Sequence, residues 1–266
     1  MKYFRACMLV ILMLTVPSAP AVALGESLVL VQGTDGYTGF EDTSLFSENV
    51  NSGGGTDGIF SGTNGQFHNR RALIRADLSG IAPGSTILSV SLTLTVMMSG
   101  NNNGDLDYTL HRVTGDWGEG SVVGLSEGGF GAPADPGDAT WQSAFHGTTL
   151  WNTAGGDYSP VISGTATAGT AGSVVTWSGT GLRNDVQEWV DNPGGNFGWI
   201  IRSTQEGEFK LVKKFHSSEA FSDRPVLTIE YLPPGVSLPF RGAIVVALAL
   251  GVAGAMLLAR RRPQPE

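Results

Sequence analysis

The stretch that decides the fold is residues 86–97, with the sequence TILSVSLTLTVM. Its serine and threonine residues alternate with apolar residues, namely Leu88, Val90, Leu92, Leu94 and Val96. Successive side chains of a β-strand point to opposite faces of a sheet, so this alternation collects the apolar side chains on one face. Residues 86–97 are therefore predicted to form a strand with one buried and one solvated face.

Shorter β-rich segments lie on both sides of this strand, and glycine, asparagine, aspartate and proline mostly separate them. They are residues 27–32, 71–77, 106–113, 173–178, 198–203, 208–216 and 225–231. The strands do not alternate with helices, which favours an antiparallel arrangement. The predicted fold is all-β, a jelly-roll-like antiparallel β-sandwich with one short helix.

The helix is predicted from an apolar stripe near the end of the chain. Its residues are spaced i, i+4, i+7 and i+8 and are Leu182, Val186, Trp189 and Val190. This spacing is typical of an amphipathic helix of about two turns. The sequence NPGG at residues 192–195 is expected to end it.

Composition limits both the domain count and the partners. The chain has 266 residues, of which 38 are glycine, about 14% against a usual ~7%. We expect one turn-rich domain at residues 24–232, with glycine-rich loops at residues 51–65, 118–137 and 154–172. The net charge of −8 repels phosphate backbones, so nucleic acid is not an expected partner.

The N-terminus has the features of a secretory signal. Lys2 and Arg5 precede an apolar run at residues 8–16, and Ala21-Val22-Ala23 is a small-residue cleavage sequence. Residues 1–23 are therefore predicted to be a signal peptide. The single cysteine, Cys7, lies in this segment, so the predicted exported domain has neither a disulfide nor a thiol nucleophile.

The C-terminus is predicted to reach the membrane. Residues 242–259 are an uncharged run, which predicts a transmembrane helix, and the following arginines predict a basic cytoplasmic tail at residues 260–266. Together with PPGVSLPF at residues 233–240, these segments resemble PEP-CTERM-type sorting signals. That resemblance implies a sorting motif or linker at residues 233–241 and processing by an exosortase-type membrane protease. Membrane anchoring and release to the extracellular matrix after cleavage both remain open.

Nine sequence runs, taken in order, resemble the DNRLRE domain family. They are RALIRADLS (71–79), IAPGSTI (81–87), WGEG (117–120), ATW (139–141), GGDY (155–158), DVQEWV (185–190), NFGWI (196–200), FHSSE (215–219) and RPVLTIEY (224–231). The resemblance implies an exported jelly-roll-like β-sandwich. It also implies a carbohydrate-binding module in some relatives.

The six tryptophans are candidate ligand contacts, since sugars present flat C–H faces that stack on aromatic rings. Trp189 and Trp199 are expected in the core, and Trp177 is ambiguous. The candidate platform consists of aromatic residues in the glycine-rich or loop segments, namely Trp117, Trp141, Trp151 and Tyr158. Such rings form either a sugar-binding platform or an apolar plug that covers the sandwich, and the sequence leaves both open.

The sequence assigns no metal ligands. NNNGDLD at residues 101–107 is rich in oxygen ligands around a glycine, but Leu110 stands where an EF-hand loop needs a bidentate glutamate. A hairpin turn is the alternative interpretation of this segment. A structural calcium ion in one of the loops stays open.

The sequence is compatible with three functions. The first hypothesis is an exported, non-catalytic, surface-associated module that binds polysaccharide or extracellular matrix. The second is a structural surface or biofilm protein with protein partners. A polysaccharide-degrading enzyme is the third, and it is disfavoured because no acid/base carboxylate pair is evident from spacing.

Overall fold

The strand predicted at residues 86–97 is confirmed, and in the computed structural model it spans Thr86–Ser99. The structure describes residues 25–100, 104–124 and 129–236. The strands in chain order are β1 Glu26–Leu30, β2 Phe40–Phe46, β3 Asn51–Ser52, β4 Gly58–Thr63, β5 Asn69–Ala76, β6 Thr86–Ser99, β7 Leu106–Val113, β8 Ala132–Pro133, β9 Ser143–Phe145, β10 Thr149–Leu150, β11 Tyr158–Ala168, β12 Val174–Ser178, β13 Trp199–Ser203, β14 Leu211–His216 and β15 Val226–Leu232. The described residues include one α-helix, α1 at Thr180–Asp191, which is followed by a 3-10 turn at Pro193–Gly195.

Strand β6 connects two groups of strands. Its first part pairs with β15 and with β12, and β1 extends this group beyond β15. Its last residues, from Val96 to Ser99, pair with β14 instead. From β14 the hydrogen-bonded order continues through β4, β5, β13 and β7 to β11, and β2 also pairs with β5. All described pairings are antiparallel, which confirms the predicted all-β, antiparallel class.

The main core collects apolar side chains from both groups. Leu92 and Ile229 come from the first group, and Ile74, Ile201 and Phe215 come from the second. This common core accounts for the alternation in β6 from Val90 to Val96, because the apolar residues there are buried while the serines and threonines between them are not fully covered. Leu88, which was also predicted on the buried face, is 36% exposed, and Ile87 is buried instead, beside a register shift in the pairing of β6 with β15.

Helix α1 packs on this core through the predicted stripe of Leu182, Val186, Trp189 and Val190, all of which are buried. Its position is also fixed by Gln187, whose Oε1 accepts from Ile87 N–H at 2.8 Å and whose Nε2 donates to Ser85 O at 2.9 Å. The helix is therefore docked against the beginning of β6.

A second, smaller apolar layer lies on the other face of β5. In β5, Ala72 and Ile74 belong to the main core, whereas Leu73 belongs to this second layer. Ile200 of β13 makes the same outward contribution. The layer is completed by aromatic and alanine side chains from the segment between β7 and β11. This segment therefore covers the outer face of the sheet.

Two of the predicted loops are wrong in part. Residues 51–65 contain β3 and β4, and residues 154–172 contain β11. In β4 glycine permits close approach within a sheet instead of making a turn, because a Cβ on Gly62 would overlap Leu211 O of the paired strand β14. Likewise, Gly164 of β11 leaves room for Leu182 of α1. The described part of residues 118–137 contains only the two-residue strand β8.

Several predicted segments lie outside the described residues. They are the signal peptide at 1–23, the transmembrane helix at 242–259, the basic tail at 260–266 and most of the sorting motif at 233–241. Within the described ranges, no helix has the length and apolar character needed to cross a membrane.

Replacing Gly62 with alanine is expected to lower the free energy of unfolding by about 3 kcal/mol or more, because a positive φ of 118° and a backbone overlap act together. Gly172 is the matched control, since its φ is 84° and a Cβ there would meet nothing within 4 Å. Gly172→Ala should cost about 1 kcal/mol. Urea unfolding of both variants measures the difference, and equal losses would contradict the assigned packing of β4 on β14.

Candidate functional site

The structure brings the four candidate platform residues together, but two of them are buried. Trp117 is 1% exposed and Trp151 is 6% exposed, and both lie in the second apolar layer. Their indole N–H groups are satisfied inside the protein, by Phe197 O and Thr140 O, each at 2.9 Å. Neither ring offers a face to a sugar, so their placement corresponds to the plug alternative.

The other two candidates, Trp141 and Tyr158, are partly buried and are covered by arginine. The guanidinium of Arg71 lies 4.8 Å from the ring centroid of Trp141 and 5.5 Å from that of Tyr158. Arg71 is held there by two hydrogen bonds to Glu206, at 2.8 and 2.9 Å. Arg202 also lies over Tyr158, at 5.0 Å. These rings are therefore engaged in cation–π contacts within the protein.

The tryptophans assigned to the core are found there. Trp189 and Trp199 are buried and in edge-to-face contact, with ring centroids 4.6 Å apart. Trp199 Nε1–H also donates to Asp185 Oδ2 at 2.8 Å. Trp177, which sequence reasoning left ambiguous, is buried and donates its indole N–H to Tyr108 O.

For the oxygen-rich segment at residues 101–107, the hairpin interpretation is wrong for the strands on either side. Residues 101–103 lie outside the described chain, and the flanking strands β6 and β7 pair with other strands and not with each other. The ammonium of Lys213 donates to Gly104 O, Gly169 O and Ser99 Oγ, at distances of 2.7 to 3.1 Å. Of these three acceptors, only the backbone oxygen of Gly104 belongs to the segment.

Sequence reasoning missed a cluster of three carboxyl groups. Asp42 lies on β2, Glu119 follows Trp117 in the covering segment, and Glu219 follows β14. One carboxylate oxygen from each residue lies within 4.8 Å of the other two. No local spacing could have revealed the cluster, because its members are brought together only by the pairing of distant strands.

Asp42 is the unusual member, because it faces the main core. Its Cα partner across the β2–β5 pairing is Ile74, a core residue, and Asp42 itself is 0% exposed. Its Oδ2 accepts from Ser218 N–H at 2.7 Å, whereas its Oδ1 is buried and has no hydrogen-bond partner among the described residues. Buried oxygens of this kind are rare in folded proteins.

The electrostatics of the cluster oppose its ionisation. Burial, followed by repulsion from Glu219, raises the pKa of Asp42 well above its usual range. Burial also raises the pKa of Glu119 to about 8, against the lowering effect of its hydrogen bond from Asp42 N–H and of Arg75. The cluster therefore holds fewer negative charges near neutral pH than three ordinary carboxyl groups, unless positive charge is supplied.

A second surface that sequence reasoning missed is formed by exposed phenylalanines. Phe67, in the turn between β4 and β5, is 61% exposed, and Phe209, which precedes β14, is 44% exposed. Their ring centroids are 5.3 Å apart. Beside them lies a groove of about 370 Å³, lined by Phe60, Asn64, Gly65, Gln66, Arg70, Gly129, Phe130 and Val212. We call these rings and this groove the phenylalanine groove.

Asn64 builds the turns that present the two rings. Its carbonyl oxygen accepts from Phe67 N–H at 3.2 Å and from Lys210 N–H at 3.3 Å. Its side-chain oxygen accepts from Gln66 N–H and His68 N–H. Phe67 and Lys210 both have left-handed backbone conformations, with φ of 62° and 60°. These hydrogen bonds therefore hold both residues in a backbone conformation that non-glycine residues adopt only at a cost.

The opposite wall of the groove is anchored by Arg70. Its guanidinium lies between the rings of Phe46 and Phe130, 5.3 and 5.8 Å from their centroids. It forms an ion pair with Glu48 and donates to Gly129 O at 2.8 Å. Phe130, which is 50% exposed, is therefore held at the groove by a nearly buried cation.

Neither a scan against models of known protein families nor a search of curated proteins finds a match to this chain.

Replacing Trp117 with alanine is expected to lower the free energy of unfolding by about 3–5 kcal/mol, because the variant would leave a cavity in the second apolar layer. Leu150, in the same covering segment, is 74% exposed and serves as the control. Leu150→Ala should change stability by less than about 0.5 kcal/mol. The plug assignment is wrong if chemical denaturation shows that the Trp117→Ala variant is as stable as the parent chain.

Proposed function

We propose that the chain is an exported, non-catalytic β-sandwich module of jelly-roll type that binds polysaccharide at the cell surface or in the extracellular matrix. The observation that carries this proposal is the pair of exposed rings, Phe67 and Phe209, beside the phenylalanine groove. The proposed contact surface therefore differs from the tryptophan platform predicted from the sequence.

The chemistry of this surface fits a sugar chain. Phenyl rings stack on the C–H faces of pyranose rings, and polar groups at the rim bond to the hydroxyls. Asn64 and the exposed Gln66 supply amide groups at the groove. Lys210, whose ammonium lies 4.9 Å from the Phe209 centroid, adds a positive charge beside the rings. A neutral or acidic polysaccharide is therefore the expected ligand class.

The rigidity of the surface also favours binding. The turns that carry the rings are fixed by the bonds to Asn64, so little backbone entropy remains to be lost when a ligand docks. Preorganisation of this kind raises affinity without adding contacts.

Export and surface attachment belong to the same proposal and rest on the sequence. The signal-peptide features of residues 1–23 and the apolar run at residues 242–259 support them. The ordered resemblance to DNRLRE domains supports both the jelly-roll type and the carbohydrate-binding role. An exosortase-type protease is the proposed processing partner.

A structural role with protein partners is the second candidate, favoured by one observation. Strand β11 pairs with β7 and with no other described strand, and it exposes Val161 and Ile162. An edge strand with exposed apolar side chains is a potential contact for another chain. Sedimentation velocity of the parent chain and of a Val161→Lys variant would measure this self-association.

Replacing Phe67 and Phe209 together with alanine is expected to weaken retention on the cognate polysaccharide. Loss of a stacking ring removes roughly 0.5–1.5 kcal/mol, which corresponds to about a 2- to 12-fold loss of affinity for each ring. Affinity electrophoresis of the full chain, in gels containing neutral or acidic polysaccharides, measures the effect.

The control is Phe221→Ala, which removes a ring that is fully exposed and has no part in the groove. This variant should migrate as the parent chain does. If the double variant is retained as strongly as the parent chain, the polysaccharide contact lies elsewhere. An absence of retention in every gel, together with self-association through β11, would favour the structural role.

A further inference from the structure

The geometry points to a calcium-binding site formed by the carboxylates of Asp42, Glu119 and Glu219. The site uses none of the residues that line the phenylalanine groove, so calcium binding can be tested independently of polysaccharide binding. Two observations carry it: the mutual approach of the three carboxylates, and the buried, unpartnered oxygen of Asp42.

The spacing of the oxygens suits one calcium ion. Calcium binds oxygen at 2.3–2.6 Å, so two ligand atoms of one ion lie at most about 5 Å apart. The three carboxylate oxygens all lie within 4.8 Å of one another. Magnesium, with bonds of 2.0–2.1 Å, would need every pair within about 4.2 Å and a more regular geometry. The three oxygens are therefore close enough to ligate one calcium ion, whose flexible geometry accepts ligands from three separate segments.

Charge balance leads to the same conclusion. The described donors to these carboxylates are neutral, namely the N–H groups of Asp42 and Ser218 and the hydroxyl of Ser218. Arg75 influences Glu119 from a distance but is itself bonded to Glu41 and Asp116. With three acidic side chains this close and Asp42 buried, ionisation of the cluster is costly unless bound positive charge offsets it. A divalent cation held by the cluster offsets most of this negative charge beside Asp42, which is buried and has one oxygen without a partner among the described residues.

The accessibility of the cluster suits metal binding better than catalysis. Asp42 is completely buried, so it cannot touch a polymeric substrate, whereas Glu219 is exposed and opens one side of the cluster to solvent. Water from that side can supply the remaining ligands, because calcium takes six to eight oxygens in total. A buried acidic ligand and an open outer ligand give the ion both a fixed position and an entry path.

The ion would join three distant parts of the chain. Asp42 belongs to the sheet, Glu119 to the covering segment two residues after Trp117, and Glu219 to the turn after β14. Calcium at this point is therefore expected to fasten the covering segment to the sheet and to stabilise the folded chain by mass action.

The test is calcium titration of the full chain, stripped with chelator and kept in a mild detergent micelle. Isothermal titration calorimetry with calcium chloride should give one ion per chain, and thermal unfolding should shift to higher temperature. Glu219→Gln and Asp42→Asn should each weaken calcium binding on the order of tenfold or more, because each removes a charged ligand. Magnesium chloride should bind more weakly than calcium.

The matched control is Glu208→Gln, since Glu208 is exposed and has no part in the cluster. It should bind calcium as the parent chain does. Circular dichroism verifies the fold of Glu219→Gln, which changes an exposed side chain and keeps its shape. The proposal is overturned if the stripped parent chain binds no calcium at millimolar concentration, or if Glu219→Gln and Asp42→Asn bind it with unchanged affinity.

Discussion

The arrangement of the molecule depends on strand β5 being buried on both faces. Ala72 and Ile74 pack into the main core, while Leu73 on the opposite face is also completely buried. An apolar outer face must be covered, because exposed apolar surface costs free energy in proportion to its area. The segment between β7 and β11 provides this cover. Arg71 and Arg75, which flank Leu73, stack on Trp141 and Trp117 of the covering segment.

This cover determines which parts of the surface remain available. It buries Trp117 and Trp151, and it places Glu119 next to Asp42 at the sheet edge formed by β2. The phenylalanine groove is formed partly by this segment, through Gly129 and Phe130 held by Arg70 of β5, and partly by the turns organised by Asn64. The covering segment is thus a structural layer that contributes Glu119 to the acidic cluster and Phe130 to the groove, while Phe67 and Phe209 belong to turns of the sheet itself.

The sequence predicted the strands and the helix in which apolar residues recur on the single face that packs on the core. The eight predicted strands overlap observed ones, and the stripe of α1 is buried as expected. Strand β4 was missed because its glycines look like turn residues, although Gly62 serves close packing against β14. The acidic cluster was out of reach because Asp42, Glu119 and Glu219 meet only through tertiary structure. The burial of the loop tryptophans could not be predicted, because they cover Leu73 on the outer face of β5. In the sequence, Leu73 lies between Arg71 and Arg75 on that face and so looks like a single exposed leucine.

Tryptophan fluorescence of the full chain tests the covered outer face most directly. Five of the six tryptophans are buried, and Trp141 is partly buried under Arg71. The emission should therefore be blue-shifted and only weakly quenched by acrylamide, and saturating polysaccharide should leave both properties unchanged. A red-shifted emission that acrylamide quenches readily, or a strong protection of tryptophan by polysaccharide, would show that the loop rings are open to solvent and would contradict the account.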